Sequence, residues 1–159
     1  MIELYHGSNL FIDKIDFTKC KPYKDFGQGF YLTDIFPQAM EMAIKRTRIV
    51  GSGSPVVTKF LFDDKLLTDG SLKVLTFDSP SIEWAKFILA NRKRGNDKFV
   101  HDYDVVVGPV ADDGVAFQLE RYLYGGMTLE QLAKELTYRK LNRQYFFGTE
   151  KAASYLQLI

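Results

Sequence analysis

Asp25-Phe26-Gly27-Gln28-Gly29-Phe30-Tyr31-Leu32-Thr33 is the stretch whose reading decides the fold. A glycine, one polar residue and a second glycine lead straight into an aromatic, strand-forming run. Glycine adopts φ > 0 freely and allows close backbone approach, so the stretch predicts a tight bend delivering Tyr31 to a pocket wall. It is not a dinucleotide fingerprint, because neither a third glycine nor a helix start follows in register. Upstream, Leu4-Tyr5-His6-Gly7-Ser8 closes a first strand, and His6-Gly7 at its end supplies a second wall.

The rest of the chain fits one mixed domain over residues 1–159. A length of 159 residues is enough for one buried core, and 46% hydrophobic with 26% charged residues describes a globular protein. A formal charge of +1 excludes bulk attraction to nucleic acid or membrane as an organising force. Cys20 is the single cysteine, so no intramolecular disulfide forms; with no signal peptide or membrane-spanning run in view, a cytoplasmic protein without membrane association is expected. Cys20 lacks a neighbouring histidine or second cysteine, so neither a metal nor thiol chemistry is expected.

Residues 2–5, 30–32, 56–62, 74–77, 103–107 and 144–147 read as strands, with Gly108-Pro109 ending or bending the fifth. Residues 37–48, a segment capped by Ser81, 115–124 and 129–136 read as helices, the last with a Thr128/Gln131 capping box. Strands and helices mix without regular βαβ alternation, which predicts an α+β fold. His101 has no matching partner in the sequence and is expected in solvent.

His6-Gly7 and the Gly27–Tyr31 stretch together resemble the two N-terminal signatures of the ADP-ribosyltransferase superfamily, in its poly(ADP-ribose) polymerase and diphtheria toxin branch. The middle segment Val106-Val107-Gly108-Pro109-Val110-Ala111-Asp112 looks more like that of a bacterial group of ADP-ribosyltransferase-like domains. The resemblance implies a split, bent β core with flanking helices and NAD⁺ as substrate in the cleft, with no metal. It implies that His6 contacts a ribose hydroxyl, Gly7 clamps the nicotinamide carboxamide and Tyr31 stacks on the nicotinamide ring, with Ser8, Gly29 and Phe30 beside them.

The third signature of that family is an acidic residue on a late strand. Asn142-Arg143-Gln144-Tyr145-Phe146-Phe147 resembles that strand, with Gln144 where polymerases carry glutamate, giving a His6–Tyr31–Gln144 triad. Gln144 also reads as an ordinary edge-strand polar residue. Its amide oxygen accepts the ribose 2′-hydroxyl hydrogen bond without net charge, a deficit of about 1–2 kcal/mol, or roughly tenfold in rate. Glu150 lies six residues on, about 20 Å along an extended chain, and reads as a first-turn acid on a helix capped by Thr149. Ala39 and Met42 stand where polymerases place a serine and a second stacking aromatic.

Mono-ADP-ribosyl transfer from NAD⁺ to a protein or nucleic-acid acceptor is the function this resemblance implies, with a toxin or effector role and a neutralising antitoxin partner. NAD⁺ hydrolysis, or a catalytically inactive domain binding NAD⁺, ADP-ribose or a partner, are the alternatives. Lys19, Lys21 and Lys24 read either as a loop over the NAD⁺ diphosphate or as solvated charges. Tyr138, Arg139, Lys140 and Arg143 read either as an acceptor loop or as a charged helix end.

Overall fold

The computed structural model describes residues 1–95, 101–137, 139 and 141–159. The fold is α+β, as the mixed element order predicts. Its strands are β1 (Ile2–Ser8), β2 (Phe30–Leu32), β3 (Val56–Phe62), β4 (Val74–Thr76), β5 (Val105–Pro109), β6 (Arg143–Phe147) and β7 (Gln157–Leu158). Its helices are α1 (Phe36–Val50), α2 (Ile82–Arg92), α3 (Asp113–Leu123), α4 (Leu129–Thr137) and the single turn α5 (Glu150–Ala153). The strands form two sheets, one ordered β1-β3-β7 and the other β2-β6-β5-β4.

Side-chain alternation sets the layers. Leu4, Phe60 and Phe62 from the first sheet meet Phe30, Leu32, Val105, Val107, Tyr145 and Phe147 from the second, forming the core between them. The opposite face of the second sheet, through Val106 and Phe146, packs on Trp84, Ile88, Val115, Leu119 and Leu132 of α2, α3 and α4. The second sheet is therefore covered on both faces, which is why Val105-Val106-Val107 is an unbroken apolar run. On the outer face of the first sheet, Tyr5 meets Phe36 edge to face at 5.5 Å. Gly7 lies there directly against α1.

Several local expectations differ from what the fold does. The first strand continues to Ser8, so His6, Gly7 and Ser8 sit within it and not past its end. Gly108 and Pro109 lie within β5, paired with Gln144 and Arg143, and the strand ends at Pro109 as the Gly-Pro pair predicts. That strand starts at Val105, after Tyr103. A further strand, β7, follows β6 and adds to the edge of β3. The caps at Ser81, at Thr128 with Gln131, and at Thr149 form as predicted. Among the described residues no helix is long and apolar enough to cross a membrane.

Candidate functional site

Among the described residues the two sheets are joined by one backbone bridge. Tyr5 N donates to Thr33 O at 2.7 Å, and Thr33 N donates to Tyr5 O at 3.0 Å. Antiparallel pairing alternates along a strand, so the next hydrogen-bonded pair across these strands would be Gly7 with Tyr31. That pair does not form. The strands have parted, and the Tyr31 carbonyl takes the His6 imidazole instead, Nδ1 to O 2.7 Å. Gly7 faces away from β3 by the same alternation, so its N–H and C=O point into the gap.

The gap opens into a cavity of about 450 Å³. His6, Gly7, Ser8, Gly29, Phe30, Tyr31, Met42 and Gln144, drawn from β1, the Gly29–Tyr31 stretch, α1 and β6, all line it. The sequence-predicted residues are thus brought together, though not all in the expected manner. Phe30 is buried in the core and reaches the cavity chiefly through His6, whose ring stacks on it at 4.3 Å. Gly29 backs onto the Phe146 ring. Met42 is half exposed on the cavity side of α1.

Gly7 answers a packing demand. A Cβ there would lie 1.9 Å from the Ala39 carbonyl oxygen of α1. The close approach allowed by this glycine is to a helix of the protein itself.

His6 is a neutral imidazole. Burial, followed by the nearby Lys24, lowers its pKa against the raising effect of the Tyr31 carbonyl. A carbonyl only accepts, so Nδ1 carries the proton and Nε2 is left as an acceptor. Tyr31 is tied at both ends: its hydroxyl donates to Gly27 O at 2.7 Å and accepts from Phe26 N at 3.0 Å, while its ring meets Phe146 edge to face at 5.2 Å. Burial raises its pKa, so the phenol stays protonated. The Lys24 ammonium sits 5.5 Å from the Tyr31 ring centroid. Desolvation against the cavity wall, then Lys21 and Arg46, lower the Lys24 pKa.

Gln144 is nearly buried on β6. Its Nε2 donates to the Pro109 carbonyl at 3.3 Å, a carbonyl that also accepts Trp84 Nε1 at 3.0 Å. This fixes the amide so that Oε1 is the acceptor available at the cavity wall. Glu150 is an exposed first-turn acid of α5, outside the cavity lining. Lys19, Lys21 and Lys24 line the cavity, joined by Lys14 and by Arg46, and Asp13 and Asp16 belong to the same lining. No sequence pattern links Arg46 on α1 to that lysine loop; only the packing does. Cys20 is also in the lining, its thiol pushed up by burial. The expected acceptor loop includes Tyr138 and Lys140, which lie outside the described residues.

His101 corrects its expectation. It is partly buried, with Nε2 2.6 Å from the Phe26 carbonyl, Tyr103 N donating to Nδ1 at 3.1 Å, and Phe87 and Phe146 against its ring. Its partners lie far away in sequence or on the backbone, so no local pattern announces them.

The chain matches the family model described as Protein of unknown function (DUF3990) over residues 2–158, and it belongs to that family. Neither the curated proteins nor the solved structures offer a match.

Proposed function

We propose that this member of the DUF3990 family binds NAD⁺ in the cleft between its two sheets and transfers ADP-ribose to a macromolecular acceptor. The observation that carries the reading is the meeting of His6, Gly7, Tyr31 and Gln144 in one cavity at the point where the sheets part. The N–H and C=O of Gly7, turned into the gap, complement a carboxamide, which offers an acceptor oxygen and a donor NH₂ group. The acceptor Nε2 of His6 suits a ribose hydroxyl. Tyr31 presents an immobilised ring for the nicotinamide once the Lys24 ammonium leaves its face, and the Lys19, Lys21, Lys24 and Arg46 side chains suit the diphosphate.

In this reading Gln144 Oε1 accepts from the ribose 2′-hydroxyl as the bond from C1′ to the nicotinamide nitrogen breaks. Nicotinamide leaves with the bonding pair, and positive charge develops on the ribose. An acceptor nucleophile then bonds to C1′ and loses its proton. Gln144 carries no charge to offset the developing cation, so turnover is slow. The same neutrality favours a second reading, in which the cleft binds NAD⁺ or ADP-ribose without turnover.

Incubation with adenylate-labelled NAD⁺ and separated protein, RNA and DNA fractions tests the proposal. Label on one fraction, with matching nicotinamide release, is expected. Release in buffer alone means water is the acceptor, and calorimetric binding without release supports the second reading. No binding at all overturns both.

A further inference from the structure

The backbone of Phe26 and Gly27 is gripped from two sides. Tyr31 Oη takes the Phe26 N–H and donates to the Gly27 carbonyl, while His101 Nε2 meets the intervening Phe26 carbonyl at 2.6 Å. Gly27 holds φ 99°, and a Cβ there would fall 3.2 Å from Asn91 Oδ1 and 3.4 Å from His101 Nε2. The bend is thus pressed against α2 and His101, and the Asp25–Arg92 ion pair at 2.5 Å closes it on α2 from its other end. Phe146 completes the circuit, edge to face with both Tyr31 and His101.

We infer that His101 is a positioning residue: through the Phe26 carbonyl it holds the Gly27 bend against the Tyr31 hydroxyl and so fixes the ring that walls the cavity. Its importance for ligand binding rests on the NAD⁺ reading above; its hold on Tyr31 does not. The role requires one tautomer. Tyr103 N–H donates to Nδ1, so Nδ1 is bare and Nε2 carries the proton given to Phe26. A second proton would have to sit on Nδ1, facing the Tyr103 N–H, and would break that bond. Burial resists that proton, Asp102 favours it and Lys73 opposes it, those two being ion-paired with each other. The groups packed on the ring from α2 and β6, Phe87 and Phe146, are uncharged.

The test reads Tyr31 directly in ligand-free protein, by NMR of ¹³C-labelled tyrosine rings, with Tyr31→Phe assigning the signal. In the wild type the Tyr31 signal should move on acidification with the midpoint of the His101 ring. In His101→Gln, whose amide can still donate to Phe26 but does not titrate, the signal should keep its position and lose that movement. In His101→Phe it should be displaced at every pH. A Tyr31 signal indifferent to His101→Phe, or one whose pH response survives His101→Gln because His6 causes it, overturns the inference. Calorimetry adds the functional arm: His101→Phe should weaken NAD⁺ binding about tenfold, or about 1.4 kcal/mol, and His101→Gln should restore most of it. Equal affinities across wild type and both variants overturn the functional part. A wild type that binds no NAD⁺ defeats the NAD⁺ reading while the ring spectra still decide the positioning role.

Discussion

His6 Nδ1 and the Tyr31 carbonyl oxygen, 2.7 Å apart, join the two sheets where their backbones separate. A side chain has replaced a ladder hydrogen bond. The substitution leaves the Gly7 amide facing the cavity and orients the imidazole with its acceptor nitrogen free. One contact therefore links the divergence of the fold to the chemistry of the cleft.

His6→Asn separates those two roles. The shorter amide can keep a donor near the Tyr31 carbonyl but does not reach as far as Nε2. NAD⁺ affinity should fall about tenfold with little loss of stability, the equivalent of one good hydrogen bond. His6→Ala should also destabilise the fold by about 1–3 kcal/mol, because the Tyr31 carbonyl loses its partner. Calorimetry and thermal unfolding of both variants check this; equal NAD⁺ affinity in wild type and His6→Asn would remove His6 from the site.

Acid should destabilise the molecule through its two histidines. Both histidines have pKa values lowered from 6.5, burial being the largest cause for each. The unfolded chain then binds protons that the folded chain refuses, so the stability these groups contribute is complete above pH 6.5 and lost as pH falls through the lowered folded values. Thermal midpoints measured down to about pH 5 should drop below pH 6.5. The His6→Asn/His101→Gln double variant should show a flatter profile over that interval; an unchanged slope would assign the loss to other groups.

Gly7→Ala should unfold or loosen the first sheet. The added carbon would lie 1.9 Å from a backbone oxygen of α1, which no rotamer change relieves. Overpacking of this kind costs about 1–3 kcal/mol or more. Ala39→Gly should not rescue the variant, because the obstacle is the residue's carbonyl and not its side chain. Denaturant titrations of the single and double variants decide it: a stable Gly7→Ala protein would show that α1 can move away freely.

How much of this could be read in the sequence depends on the range over which each signal acts. The caps at Ser81, Thr128 and Thr149 are local, each side chain meeting a backbone amide three residues on, and they are legible. The Gly27 bend and the Phe30-Tyr31-Leu32 strand are legible for the same reason. The freedom of the Gly7 amide is not, because it depends on where two sheets diverge. His101 carries no local mark either, since its partner carbonyl is 75 residues away. Two-residue β7 is too short for any alternation to show.

Gln144→Glu is the sharpest test of the cleft chemistry, because it should move rate and stability in opposite directions. A carboxylate in place of the amide offsets ribose cation charge, and nicotinamide release should rise about tenfold. The same change removes the Nε2 donor from the Pro109 carbonyl, 3.3 Å away, and sets an oxygen against an oxygen. Trp84 Nε1 still satisfies that carbonyl at 3.0 Å, which limits the loss to about 1–2 kcal/mol. Burial beside a carbonyl raises the pKa of the new carboxyl, so the gain in release should grow with rising pH as the group ionises. Nicotinamide release across a pH series, alongside thermal unfolding, measures both effects. A folded, destabilised variant whose release rate stays at the wild-type level would place Gln144 outside the reacting centre and leave it only its bond to Pro109.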